Sequence, residues 1–234
     1  MNNNIPTEVY LDFLGKTIDI HWNYHAILMF SVWFILVPIC IISLRYFKPK
    51  PTLNGISAQS KFSPKWRWFS IHVYGLYLAA ALSLAGTAVA MLVSGGISGS
   101  VHSVFGLMTV GLGCLQIVSS WFRGTHGGMY DGRADSNDPS TWRGDHFDMT
   151  LRRRVFEAYH KNAGYFTIFC AVAAVATGLM NYWMPGIAIA LVGVFISLFL
   201  LSFFFDLRNR QQDTYRSCFG YNAKHDYNKT RKNW

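Results

Sequence analysis

Charge is what this sequence has least of. Only 14% of its 234 residues are Asp, Glu, Lys or Arg, against about 25% in an ordinary soluble domain. Its four cysteines are scattered at 40, 114, 170 and 218, and no CxxC or CxxCH pair occurs. That excludes a cysteine-built zinc site and covalent c-type haem attachment. Internal repeats and low-complexity stretches are also lacking. The first 20 residues have neither a basic start nor a short apolar core, so no cleavable signal peptide is expected.

What is abundant is apolar and aromatic surface, 51% and 16% of the residues. It falls into five runs: Tyr24 to Leu44, Trp68 to Leu92, Val101 to Phe122, Asn162 to Tyr182 and Pro185 to Phe205. Each reaches the roughly 20 residues that a bilayer-spanning helix needs, and none contains Asp, Glu, Lys or Arg. The runs are too long, and alternate too little, for outer-membrane strands. The expected fold class is therefore all-α: an integral membrane bundle of five transmembrane helices in a lipid bilayer. The net charge of +9 does not indicate nucleic acid, because the basic residues lie between apolar spans and not on a soluble scaffold.

The connections alternate in charge. Residues 1–24 hold Glu8, Asp12 and Asp19 against Lys16, whereas 45–67 holds Arg45, Lys48, Lys50, Lys61, Lys65 and Arg67 with no acid. Segment 93–100 is uncharged; 123–154 has six arginines and five aspartates, with Arg152, Arg153 and Arg154 beside the next span. The turn near 182–186 is uncharged, and the tail 206–234 has seven basic and three acidic residues. The positive-inside rule then puts the N-terminus outside and the C-terminus in the cytoplasm, in a plasma or inner membrane. Trp22, Trp66, Trp68, Trp121 and Trp183 sit at span ends as interfacial anchors do. The organisation expected is an extracytoplasmic segment 1–23, a transmembrane domain 24–206 with an irregular cytoplasmic loop 123–154, and a cytoplasmic tail 207–234. The acidic start is expected to be a surface amphipathic helix or disordered.

Eight histidines occur. Four of them, His25, His72, His102 and His160, lie in or at the ends of the first four spans. Ionisable groups at membrane depth are rare and usually functional. The orientation puts His25 and His102 near the outer face, and His72 and His160 near the inner face. Each pair comes from two helices, so one imidazole can approach a flat macrocycle from each side, which is what bis-histidine haem ligation requires. Gly75, Gly106 and Gly164 follow His72, His102 and His160 by three or four positions and share their helix faces, leaving room for a porphyrin. A lone histidine in a span is more often a packing residue, but four sorting into two levels are hard to obtain by chance. His21, His126, His146 and His225 lie in polar segments and are expected to be solvated.

These residues resemble the cytochrome b561 family, especially the form associated with DOMON domains. The first span is similar to the family pattern through His25, Leu28, Met29, Pro38, Arg45 and Tyr46; the third through His102, Gly106 and Gln116; the fourth through His160, Gly164 and Tyr165. The resemblance covers roughly residues 22–206. It implies two haem b groups in four core helices plus one extra, and transmembrane electron transfer between a small-molecule or protein donor and an acceptor. It also makes Arg45 and Lys48 the candidates for contacting an anionic donor. Three function classes follow: a stand-alone transmembrane oxidoreductase, a haem-bearing anchor subunit with partner subunits in a larger redox complex, or a haem-free transporter or structural protein.

Overall fold

A computed structural model describes residues 6–56, 63–181, 184–208 and 212–221. Lys61, Trp183 and His225 lie outside the described residues.

The chain begins with a two-stranded hairpin, β1 (Glu8–Leu11) and β2 (Lys16–Asp19). The strands are antiparallel, with Glu8 opposite Asp19 and Leu11 opposite Lys16. This corrects the expected amphipathic helix or disorder. Val9, Tyr10, Thr17 and Ile18 are β-formers, and Gly15 supplies the left-handed φ of +58° that closes the turn.

Five long helices follow: α1 (Trp22–Tyr46), α2 (Arg67–Val93), α3 (Val101–Trp121), α4 (Leu151–Asn181) and α5 (Pro185–Leu207). All five are long and apolar enough to cross a membrane, and the protein is a multi-pass membrane protein. A short α6 (Thr214–Phe219) starts at Asp213, whose carboxylate accepts from Arg216 N at 2.9 Å. Ser100 caps α3 in the same way, accepting from Ser103 N at 3.2 Å.

Two helices depart from the simple apolar run. In α1 a π-turn spans Ser31–Leu36, just before Pro38. Proline has no N–H to return to the preceding turn, and its ring crowds that turn's carbonyl; a wider turn relieves both. Helix α4 starts 11 residues before the expected Asn162. Its first turns carry Arg152, Arg153, Arg154 and Glu157, and Glu157 ties them together by pairing with Arg153 at 2.9 Å and Lys161 at 3.7 Å, each one turn away.

Helices α1 to α4 pack around a common interior, and α5 lies outside against α4, touching the end of α1 through Arg45–Asp206 and Tyr46–Ser202. Their buried positions are mostly small: Cys40, Ala79, Ser83, Gly86, Thr109, Thr167, Cys170, Ala171 and Ala174. Small residues let membrane helices approach closely, because lipid gives little hydrophobic drive between them. The bulky residues point outward, as on α5, where Ala188 is the buried residue. Arg45 at the end of α1 forms an ion pair with Asp206 of α5 and donates to the Tyr165 hydroxyl of α4 at 2.7 Å. It clamps three helices at once.

The end of the bundle away from the hairpin carries a folded cap. Trp66, Trp68 and Ile56 are buried with Cys218 of α6, and Phe219 packs on them. Trp66 and Trp68 are thus interior residues of the cap and not lipid-facing anchors, whereas Trp121 is 68% exposed. The loop between α3 and α4 belongs to this cap. It is irregular, as expected, but held by Asp145, which accepts from Thr125 N at 2.9 Å and Thr150 Oγ1 at 2.8 Å. His126 and His146 correct the expectation of solvated histidines. His146 is 5% exposed, its Nδ1 lies 3.3 Å from Nδ1 of His126, and both rings pack against Phe219 with centroids 4.9 Å away, that of His126 tilted and that of His146 edge to face. The polar flanking sequence concealed this, because the aromatic partner comes from α6.

Candidate functional site

The four span histidines come together as two pairs. The rings of His25 on α1 and His102 on α3 have centroids 6.2 Å apart, with planes at 86°. Those of His72 on α2 and His160 on α4 have centroids 6.3 Å apart, with planes at 79°. Two imidazoles on opposite sides of one metal ion have this spacing: bonds of about 2 Å on each side, plus about 1 Å from each nitrogen to its ring centre, total about 6 Å. The two rings of each pair meet edge to face without a hydrogen bond between them.

The backbone orients one ring in each pair. His102 Nδ1 donates to the carbonyl of Ala174 on α4 at 2.8 Å. His72 Nδ1 lies 3.3 Å from the carbonyl of Cys40 on α1. With Nδ1 as the N–H, Nε2 is the lone-pair nitrogen available to a metal, an arrangement common to metal-ligating histidines. The partners His25 and His160 have buried Nδ1 atoms without a hydrogen-bond partner among the described residues. His160 also stacks on Phe156, one turn earlier, at 5.2 Å.

A groove with a cavity of about 100 Å³ opens at the His25–His102 pair and is lined by both histidines, Trp33, Ser98 and Gly106. A Cβ placed on Gly106 or on Gly164 would meet nothing within 4 Å, so both glycines border open space beside their histidines. Gly75 is placed differently. A Cβ there would run into Cys40 Sγ, so Gly75 brings α1 close to α2 and thereby the Cys40 carbonyl within reach of His72. At the level of His160, both amide atoms of Gln116 are buried without partners among the described residues. Open space, orphaned polar atoms and paired imidazoles fit a bis-histidine haem at each level. Among the described residues no group of three or more His, Cys, Asp or Glu could hold a metal by itself.

The sequence reading missed two contributors. Gly178 on α4 faces His102, and a Cβ there would lie 2.9 Å from its Nδ1. Gly86 on α2 backs His25 and Met29, with a Cβ 3.3 Å from the Met29 sulfur. Both lie on helices other than that of the histidine they serve, whereas helix periodicity relates only glycines on the same helix. Arg45 and Lys48 are both engaged: Arg45 with Asp206 and Tyr165, and Lys48 through Nζ to Thr214 Oγ1 at 3.0 Å. Burial pulls the Lys48 ammonium down to about 8, against the pull of nearby Asp213.

No family model matches the chain, and no solved structure gives a significant match. The chain is similar to a cytochrome b561 and DOMON domain-containing protein of Arabidopsis thaliana, 27% identical over 165 residues, or 69% of this chain and 28% of that protein. It is also similar to a cytochrome b561, DM13 and DOMON domain-containing protein of the same plant, 33% identical over 100 residues, or 42% of this chain and 10% of that protein. The matches thus span well under a third of either relative's length. Both relatives carry the cytochrome b561 name, and together they support the cytochrome b561 family for this chain.

Proposed function

We propose that this protein transfers electrons across a membrane through two b-type haems, one between His25 and His102 and one between His72 and His160. The observation that carries the reading is the pairing itself. Four histidines from four helices meet as two crossed pairs with centroids 6.2 and 6.3 Å apart, one pair towards each end of the bundle. The similarity to two cytochrome b561 proteins supports the type of haem.

Haem held by these histidines would supply one-electron chemistry, and ligation by two imidazoles would favour electron transfer over oxygen binding. The chain provides the setting. Ala174 and Cys40 fix the imidazole tautomers of His102 and His72 through their carbonyls, and that raises ligand basicity. Gly106 and Gly164 keep the space beside the ligands clear, and Gly75 sets the α1–α2 approach. The apolar helices exclude water, which, with those hydrogen bonds, sets the potentials.

The basic connections put the capped end in the cytoplasm and the hairpin outside. The haem domain then corresponds to residues 24–206, with the cap and tail on the cytoplasmic side. Lys48 and Arg45 stand at that end as the cations for an anionic donor. At Arg45 such a donor must compete with the Asp206 carboxylate.

The test is the visible spectrum of the detergent-purified protein, oxidised and dithionite-reduced, with haem measured per polypeptide. The expected result is sharp low-spin b-type bands at about two haems per chain. A folded preparation without haem would exclude electron transfer, and one haem per chain would exclude one of the pairs.

A further inference from the structure

We propose that Trp33 is the bridge between the two haem sites, carrying the electronic coupling that lets an electron cross the middle of the membrane. This builds on the two-haem reading above. Trp33 lies eight residues after His25 and seven before Cys40, whose carbonyl faces His72. At about 1.5 Å per residue these are about 12 and about 10 Å along α1. The indole therefore sits midway between the two histidine levels.

Its surroundings connect it to both. Trp33 lines the groove of His25 and His102. Its far ring edge reaches α3 at Gly113, where an added Cβ would be 3.8 Å from Cη2. Gly113 is one turn before Gln116, whose buried, partnerless amide stands at the other level. The Trp33 side chain belongs to the π-turn Ser31–Leu36 and packs against the buried Val32, Val37 and Ala79 cluster. Its Nε1 is buried and has no hydrogen-bond partner among the described residues. A buried indole normally finds an acceptor, because an N–H taken out of water without one is costly. This one is kept where packing alone would favour Leu or Phe. Ser83, another buried and partnerless group, has no π system.

Electron tunnelling weakens steeply with the saturated distance between conjugated groups. A ring of two fused cycles midway replaces part of the saturated path. With haem held at both pairs, one electron would pass from the reduced site to the oxidised one. No bond is made or broken, no proton moves, and Trp33 itself is neither oxidised nor reduced.

The experiment uses the full chain in liposomes, as wild type and as Trp33→Leu, Trp33→Met and Trp33→Phe. Haem content and both midpoint potentials are measured first; a wild-type chain with fewer than two haems refutes the parent reading, independently of Trp33. A membrane-impermeant photoreductant on one side then reduces the near haem in a flash, and transfer to the far haem is followed by absorbance. The expected result is transfer slowed at least tenfold in Trp33→Leu and Trp33→Met, with haem content and potentials unchanged, and largely restored in Trp33→Phe. Should Trp33→Leu lose haem, Trp33→Met, which is closer in volume, carries the comparison. An unchanged rate, or slowing matched by shifted potentials, overturns the proposal.

Discussion

Nδ1 of His72 lies 3.3 Å from the carbonyl oxygen of Cys40, and Gly75, three residues further along α2, is pressed against the sulfur of the same Cys40. Orientation of a candidate ligand and closeness of two helices are therefore one feature. Gly75→Ala forces α1 away from α2. Overpacking of this kind costs about 1–3 kcal/mol, and it lengthens the His72 bond. The expected result is a lower Tm and loss of haem from the His72–His160 pair. Adding Cys40→Ala removes the obstructing sulfur and recovers much of both. A double variant no better than the single one would contradict this coupling.

Gly106 and Gly164 test the haem directly, because the protein itself leaves space there. Gly106→Leu is expected to fold with a helical spectrum close to wild type while losing the haem of the His25–His102 pair. Gly178→Ala acts on the same pair through protein contact, since its Cβ falls 2.9 Å from His102 Nδ1. It is expected to alter the bands of that haem without touching the other. Full haem content in Gly106→Leu would place the macrocycle elsewhere.

Removing individual ligands separates the pairs. His72→Leu or His160→Leu is expected to lower haem from about two to about one per chain, as is His25→Leu or His102→Leu. Combining one variant from each pair leaves none. Equal spectra for members of different pairs would show that the pairing is wrong.

The Arg45–Asp206 ion pair holds α5 to the bundle. Its side chains are each 22% exposed, so Asp206→Asn strands a poorly hydrated guanidinium, and a loss of about 1–3 kcal/mol is expected. A double-mutant cycle with Arg45→Met, read by thermal melting in detergent, should return a coupling above about 0.5 kcal/mol. Additive effects would mean that Tyr165 and lipid contacts position α5 instead.

The cap is expected to be acid-sensitive. His126 is held at about 4, well below the ordinary 6.5, first by burial and then by Arg153 and Arg123, against the opposing pull of Asp131. Between those two values the opened cap binds a proton that the closed cap does not, so closure weakens as pH falls from about 6.5 towards about 4. Limited proteolysis of the α3–α4 loop should speed up from pH 7 to pH 5 in the wild type and change less in His126→Gln. A pH-independent cleavage rate would rule out His126 as the sensitive group.

The five helices were legible in the sequence because a bilayer demands long uncharged runs and tolerates little else. The two histidine levels were legible for a related reason. Distance from a span end, combined with span direction, fixes depth. The boundaries of α4 were less so, since Arg153–Glu157–Lys161 pairing extends a helix past its apolar run. The N-terminal hairpin was missed because each of its strands is four residues long, too short for a clear alternation.

What the sequence determined by itself is the membrane class, the number of spans, and the positions of His25, His72, His102 and His160 along those spans. All of these depend on composition along a single helix. What only the tertiary structure decided is everything that depends on a facing helix. Gly178 against His102, Gly75 against Cys40, Arg45 paired to Asp206, and His126 packed on Phe219 join residues far apart in the chain. Their partners are set by how the helices rotate and dock, and helical periodicity within one segment carries no record of that.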